Sequence, residues 1–150
     1  MTDRVLALVG CGSKKRKQPT AAKALYISSY FIKKRQWAEG CHAWRILSAE
    51  HGLVHPDEVL EPYDTALVDL DDTETRRWAE DVMTDLRPLL DDFNAVVVLA
   101  GRDYFTPIRG GLDQAAPAVQ WPFEGKQLFD QMDWLENSLP PNQSTIDSFE

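Results

Sequence analysis

Cys11-Gly12-Ser13-Lys14-Lys15 places a thiol, a hydroxyl and two ammonium groups in five consecutive residues, directly after the apolar run Val5 to Val9 and Gly10. Gly10 and Gly12 let backbone approach a ligand closely, and successive loop N–H groups with Lys14 or Lys15 can neutralise a phosphate. The run is not a Walker loop, because no Gly-Lys-Ser/Thr follows at the right distance. Nor is it a dinucleotide fingerprint, since Lys15 stands where the third glycine belongs. A cysteine-phosphatase loop would need Arg where Lys17 stands. The plain alternative is a tight turn carrying a solvated basic run. Cys11 is either a nucleophile activated by nearby cations or a small core residue after a strand, and Ser13 is a hydrogen-bonding candidate.

Three further segments supply reactive groups. Ser48-Ala49-Glu50-His51-Gly52-Leu53 offers Ser48 as a ligand-orienting hydroxyl and Glu50 with His51 for proton transfer. Pro62-Tyr63-Asp64 offers a carboxylate, Asp64, able to bind ribose hydroxyls or stabilise an oxocarbenium charge. A turn or cap aspartate is the simpler account of it. Gly101-Arg102-Asp103-Tyr104 offers Gly101 backbone, a bidentate phosphate clamp in Arg102, and a phenol. Tyr63, Tyr104 and Tyr26 are candidates to stack on a base, against ordinary packing at a rim. His51 and His55 are four apart, but Gly52 and Pro56 oppose the helix that would pair them as metal ligands. The zinc-deaminase pattern is missing, so neither metal nor cofactor is expected.

These segments need a scaffold that brings them to one rim. Val5 to Val9 and Ala95 to Leu99 are apolar without alternation, as expected of central parallel strands, while Ala43 to Leu47 and Ala118 to Trp121 complete a set of four. A short helical turn is expected at Ala21 to Leu25, and a helix capped at Ser28 or Ser29 that ends before Gly40. A third helix follows an Asp72-Thr73 cap, with Trp78, Val82, Met83, Leu86 and Leu90 at helical spacing and Pro88 kinking or shortening it. A short helix from Asp103 to Ile108 should close near Gly110-Gly111. A last one, about Lys126 to Leu139, should pack Leu128, Phe129, Met132 and Leu135. Strands alternating with helices predict an α/β fold: a three-layer Rossmann-like domain over residues 1–139, with a mostly parallel four-stranded sheet in the order 2-1-3-4 and a flexible tail over 140–150. The loops at Gly10 and Gly101 would then face each other across the switch-point crevice.

Composition narrows the class. The chain has 150 residues, 43% of them hydrophobic, which suits one ordinary core. Its 24 acidic against 16 basic residues give a net charge of −8. That field repels nucleic acid unless a local patch, Lys14 to Lys17 or Lys33-Lys34-Arg35, meets it. The acidic surplus also suits a salt-loving source. The two cysteines, Cys11 and Cys41, fall at opposite ends of the predicted sheet, roughly 15 Å or more apart, and are expected to be free thiols. No apolar run is long enough to cross a bilayer, and a cytoplasmic setting without membrane partners is expected.

Taken in order and spacing, several stretches resemble the DUF6884 family, small proteins of unknown function from bacteria, archaea and their viruses. They are Cys11-Gly12-Ser13-Lys14-Lys15, Ala24-Leu25-Tyr26 with Ser29 and Phe31, Ile46 to Leu53, Pro62-Tyr63-Asp64, and Gly101 with Tyr104. The resemblance spans Val5 to Leu135. The chain departs from it at Glu50-His51, where members usually carry Lys-Tyr. The resemblance implies no established activity, and the layout is similar to nucleoside deoxyribosyltransferases and base glycosylases. The functional expectation is an enzyme that hydrolyses or transfers an N-glycosidic bond of a nucleotide or nucleic-acid base. Asp64, Ser48 and Glu50 would be catalytic. Cys11, Gly12, Ser13, Lys14, Lys15, Tyr26, Tyr63, Gly101, Arg102 and Tyr104 would bind ligand. Its rivals are a nucleotide-sensing module, a nucleic-acid-binding accessory using Lys14 to Lys17, and a thiol-dependent hydrolase using Cys11.

Overall fold

The structure, a computed structural model, describes residues 4–116, 118–138 and 140. Its elements in chain order are β1 (Val5–Gly10), β2 (Thr20–Ala21), α1 (Ala22–Leu25), α2 (Ser29–Ala38), β3 (Ala43–Ser48), β4 (Gly52–Val54), β5 (Val59–Leu60), α3 (Asp72–Leu90), β6 (Ala95–Leu99), α4 (Arg102–Ala115), β7 (Val119–Gln120) and α5 (Leu128–Asn137), with a 3-10 turn at Leu67–Asp69 before α3.

Strand β1 is central because every residue in it is buried. It pairs in parallel with β3 on one side, from Leu6 opposite Ala43 to Gly10 opposite Leu47, and with β6 on the other, from Val5 opposite Ala95 to Val9 opposite Leu99. Its side chains alternate between two cores. Val5, Ala7 and Val9 pack with Phe31, Trp37 and Ala38 of α2 and Leu135 of α5; Leu6 and Leu8 pack with Val82, Met83 and Leu86 of α3 and Phe105, Ile108 and Leu112 of α4. Helices thus cover both faces of a mostly parallel sheet, the arrangement in which continuous apolar strands are stable.

The sheet has five strands rather than the four expected, in the order β4-β3-β1-β6-β7. The added strand, β4, runs antiparallel to β3 at the edge, pairing Ile46 with Val54 and Ser48 with Gly52. It escapes a periodicity argument because it is three residues long. A separate antiparallel pair, β2 with β5, fastens the segment before α1 to the long connection.

Helix boundaries also differ from expectation. The cap of α3 is Asp71, whose carboxylate accepts from the Glu74 N–H at 2.8 Å while Glu74 accepts from the Asp71 N–H, a full capping box one residue earlier than read. Pro88 does not stop the helix, which runs to Leu90: Pro88 is exposed, so its freed carbonyl partner meets water, and Leu86 and Leu90 hold the last turn on the core. Helix α4 continues through Gly110-Gly111 to Ala115. A Cβ on Gly111 would lie 3.1 Å from Met83 Cγ, so this glycine admits α3 to close contact rather than ending a helix. In α5 only Leu135 is buried, whereas Leu128 and Phe129 are 55% and 81% exposed, against the packing expected of them. Pro140, expected to open the tail, is buried and leaves no space for a side chain at Gly40; Leu139 and residues 141–150 lie outside the described residues. Ser28 caps α2 as expected, accepting from the Phe31 N–H at 3.2 Å. No helix among the described residues is long and apolar enough to cross a membrane.

The β3–β4 turn sets Ser48 in place and depends on Gly52, whose φ is +73°. Gly52→Ala forces an L side chain into the left-handed region, at about 1–2 kcal/mol. Urea unfolding should show that loss, with no change in the denaturant slope.

Candidate functional site

The carboxyl ends of β1, β3 and β6 open on one side of the sheet. Residues Cys11 to Lys15 leave β1 there, anchored by the Cys11 N–H donating to the Leu47 carbonyl at 3.0 Å and by the Ile27 N–H donating to the Lys14 carbonyl at 3.0 Å. Opposite them, Gly101 begins α4, and a Cβ on Gly10 would sit only 3.0 Å from that of Ala100. The two loops therefore face across the crevice. Cys11 Sγ lies 3.1 Å from Tyr104 Oη. Cys11, Ser13, Lys15, Asp64, Thr65 and Tyr104 line a cleft of about 200 Å³.

Behind the cleft runs a chain of hydroxyls. Ser48 is fully buried; its Oγ accepts from the His51 N–H at 3.0 Å and lies 2.7 Å from Tyr63 Oη, which is in turn hydrogen-bonded to Tyr26 Oη. The Ser48 carbonyl accepts from Trp78 Nε1 at 2.8 Å. Burial first and the negative charge of a Cys11 thiolate second push the Tyr26 phenol up to about 12. Tyr63 and Tyr104 are held well above their ordinary range by the same two causes in the same order. All three phenols therefore keep their protons near neutral pH, and Tyr104 can donate to Cys11.

Lys15 Nζ lies over the Tyr63 ring at 4.4 Å and the Tyr26 ring at 5.7 Å, and donates to the Ser13 carbonyl at 3.3 Å. Lys34, expected in a local basic patch with Lys33 and Arg35, is 2% exposed. Its Nζ donates to the Gly10 carbonyl at 2.8 Å, one residue before Cys11, and sits 4.1 Å above the Tyr30 ring. Burial, opposed in part by a Cys11 thiolate, lowers its pKa from 10.5 to about 8. The signal for this residue was its spacing, three after Phe31 and three before Trp37, on the buried stripe of α2. The rest of that supposed patch is also committed: Lys33 pairs with Glu136, and Arg35 pairs with Glu39 at 3.5 Å and donates to the Lys23 carbonyl.

The predicted site residues separate into three groups. Cys11, Gly12, Ser13, Lys15, Asp64 and Tyr104 share the cleft. Ser48, Tyr26 and Tyr63 stand behind it as support; Tyr26 is 1% exposed with its ring against Phe31 at 4.9 Å, so it offers no free face to a base. Glu50, Lys14, Gly101 and Arg102 lie off it. Glu50 is exposed and accepts from the Thr65 hydroxyl, because the turn at residues 49–51 points it outward. Lys14 is exposed, and Arg102 with Gly101 borders a separate cavity of about 380 Å³ beside Trp121 and Lys126. Arg102 also borders one of about 590 Å³ beside Arg76. Thr65, which sequence reading passed over, joins the cleft through its neighbour Asp64. Among the described residues no cluster of His, Cys, Asp or Glu could hold a metal ion. Both cysteines are free, and burial pushes the Cys41 thiol up to about 12.

A family model described as a family of unknown function, DUF6884, matches residues 6–137. The chain belongs to the DUF6884 family. Comparison with curated proteins finds no match. Comparison with solved structures finds none either. For this DUF6884 member the matched span contains every cleft residue, the hydroxyl chain and Lys34.

Lys34 makes pH a probe of the site. Its folded pKa lies below its unfolded one, so its charge destabilises the fold fully below about pH 8, and the penalty fades as pH rises toward 10.5. Lys34→Met removes that charge while keeping the length of the stem. The variant should be more stable than wild type by up to about 3 kcal/mol near pH 7, with the gap closing between pH 8 and 10.5 in urea titrations.

Proposed function

We propose that this protein is an enzyme acting on a nucleotide or nucleic-acid base, hydrolysing or transferring an N-glycosidic bond in the cleft between Cys11 and Asp64. The observation that carries this reading is the sharing of one small cleft by an exposed carboxylate, Asp64, and a turn rich in donors, Ser13 and Lys15. At about 200 Å³ the cleft lies below the range of pockets that bury a whole drug-sized ligand, so it suits a sugar-sized fragment with the remainder outside. Lys15 and the turn hold the anionic end, Ser13 orients the sugar, and Asp64 stabilises positive charge developing at the anomeric carbon as the bond to the base breaks. Tyr104 bounds the sugar beside Cys11. Ser48 and Tyr63 act as positioning residues behind the wall, rather than as groups in contact with substrate. The crevice is the ligand position of Rossmann-like sheets, a cytoplasmic setting fits the free thiols, and both belong to this reading.

The test is release of free base from a panel of nucleotides and modified DNA, followed chromatographically. Asp64→Asn should lower the rate by about 100-fold or more while substrate affinity changes little. Absence of base release from every member of the panel, or base release that Asp64→Asn leaves as fast as in wild type, ends this reading. Tight nucleotide binding without turnover would instead make the protein a nucleotide sensor.

A further inference from the structure

Lys34 is a buried cation to which the described residues bring no carboxylate. Other cations of the chain have one: Lys23 meets Asp57 at 2.7 Å, Lys33 meets Glu136, and Arg35 meets Glu39. Lys34 has a carbonyl, Gly10, and the faces of Tyr30 at 4.1 Å and Phe31 at 6.0 Å. An ammonium held this way weakens the free protein, since a carbonyl dipole and a ring face return less than full hydration does. In a chain of net charge −8, with acidic side chains in surplus, this lack of an anion is a property of the place and not of composition.

The turn above Lys34 is equally unspent. None of the hydrogen bonds among the described residues uses the N–H of Gly12, Ser13 or Lys14. Lys15, on the cleft wall, has a 3.3 Å contact to the Ser13 carbonyl and two aromatic faces, and among the described residues no carboxylate lies within ion-pair distance of it. Successive free N–H groups in a turn form a concave anion seat. Here one ammonium, Lys34, is held on the Gly10 carbonyl just before the turn, and a second, Lys15, stands on the cleft wall.

We propose that the Cys11–Lys15 turn is a phosphate site, and that the substrate carries a terminal phosphate monoester seated there over the Lys34 ammonium. Two cations match a dianion. The Gly12 and Ser13 N–H groups and the Ser13 hydroxyl make the contacts, Lys15 closes the side, and Lys34 acts through its field across the Gly10 peptide. The proposal names the substrate class for the N-glycosidic reading and rests on it for the rest of the substrate; phosphate seating itself does not.

The probe is inorganic phosphate, with thermal unfolding of the full chain at constant ionic strength. Wild type should gain roughly 5 °C at saturation. Lys34→Met should start from a higher midpoint without phosphate and lose most of that gain. General salting effects of phosphate act on both proteins alike and cancel in the comparison. Phosphate should also slow alkylation of Cys11 by iodoacetamide several-fold, with buried Cys41 as the internal reference. Should Lys34→Met fail to fold, that protection in wild type and its weakening in Lys15→Gln decide the matter. A nucleoside 5′-monophosphate should protect Cys11 at lower concentration than the matching nucleoside. Equal phosphate response in wild type and Lys34→Met overturns the proposal, as does equal protection by nucleoside and nucleotide. So does an oligonucleotide lacking a terminal phosphate that protects as well as its 5′-phosphorylated form. Phosphate seating without base release would remove the glycosidic reading and leave this site standing; efficient base release from unphosphorylated nucleosides would do the reverse.

Discussion

Strand β1 has no free side. It is hydrogen-bonded to β3 and β6 along its edges and covered by helices on both faces, so its chain can only emerge at the two ends. At the carboxyl end the next residue, Cys11, is still tied by its N–H to β3. The backbone must then turn within Gly12 and Ser13, with Ser28 Oγ only 3.3 Å from where a Gly12 Cβ would stand. This confinement explains why so many reactive groups meet in little space. The first turn of α4 comes from β6 on one side, Ser48 from β3 on the other, and the connection carrying Tyr63 and Asp64 passes over the top. A slip of one residue in β1 would exchange its two side-chain sets between cores, so the register that builds the hydrophobic layers also sets the position of the turn.

The parts of this arrangement legible in the sequence were those written in long or repeated patterns. Val5 to Val9 and Ala95 to Leu99 announced central strands because burial on both faces abolishes alternation, and Ser28 announced a cap. The small strand β4 could not be read, since three residues carry no period and its pairing is set by the Gly52 turn. Gly110-Gly111 misled because glycine has two uses: helix termination, which is local, and close helix packing, which depends on Met83 in another helix. Leu128 and Phe129 misled for the opposite reason. Their helical spacing is sound, but α5 is short and only its second half reaches the core beside Trp37 and Trp134.

At the site, the types of residue were legible and their depths were not. Cys11, Ser13, Lys15, Asp64 and Tyr104 come together as the switch-point argument requires. Ser48 and Tyr26, which sequence alone cannot tell from cleft residues, lie a layer behind, because β3 ends buried under Tyr63 and because Tyr26 packs between Phe31, against which it is tilted, and Tyr63, to which it is edge-on. Lys34 is the sharpest case. Lys33-Lys34-Arg35 reads as a candidate patch for a polyanion, but helix geometry sends neighbours about 100° apart. The middle one therefore points into the core while its neighbours find carboxylates outside.

That placement joins stability to recognition. A buried ammonium against a carbonyl is a poor contributor to folding, and an apolar side chain of similar length would fill the same space without the desolvation. Two features make its presence intelligible. Its hydrogen bond to Gly10 fixes the last peptide of β1, so the orientation of the turn is set by a cation rather than by packing alone. Its charge lies next to a turn whose Gly12 to Lys14 N–H groups meet no acceptor among the described residues and whose rim has a second cation, Lys15. Asp64, on the facing wall, works against an anion at short range, which limits where one can sit: against the turn and away from the carboxylate. On the proposed reading, a ligand that suits both walls is negative at one end and becomes positive at the other, as a sugar phosphate does when its anomeric bond breaks. On that reading the opposing charges of the cleft would orient the ligand as well as bind it, since reversing it would place like charges together at both ends.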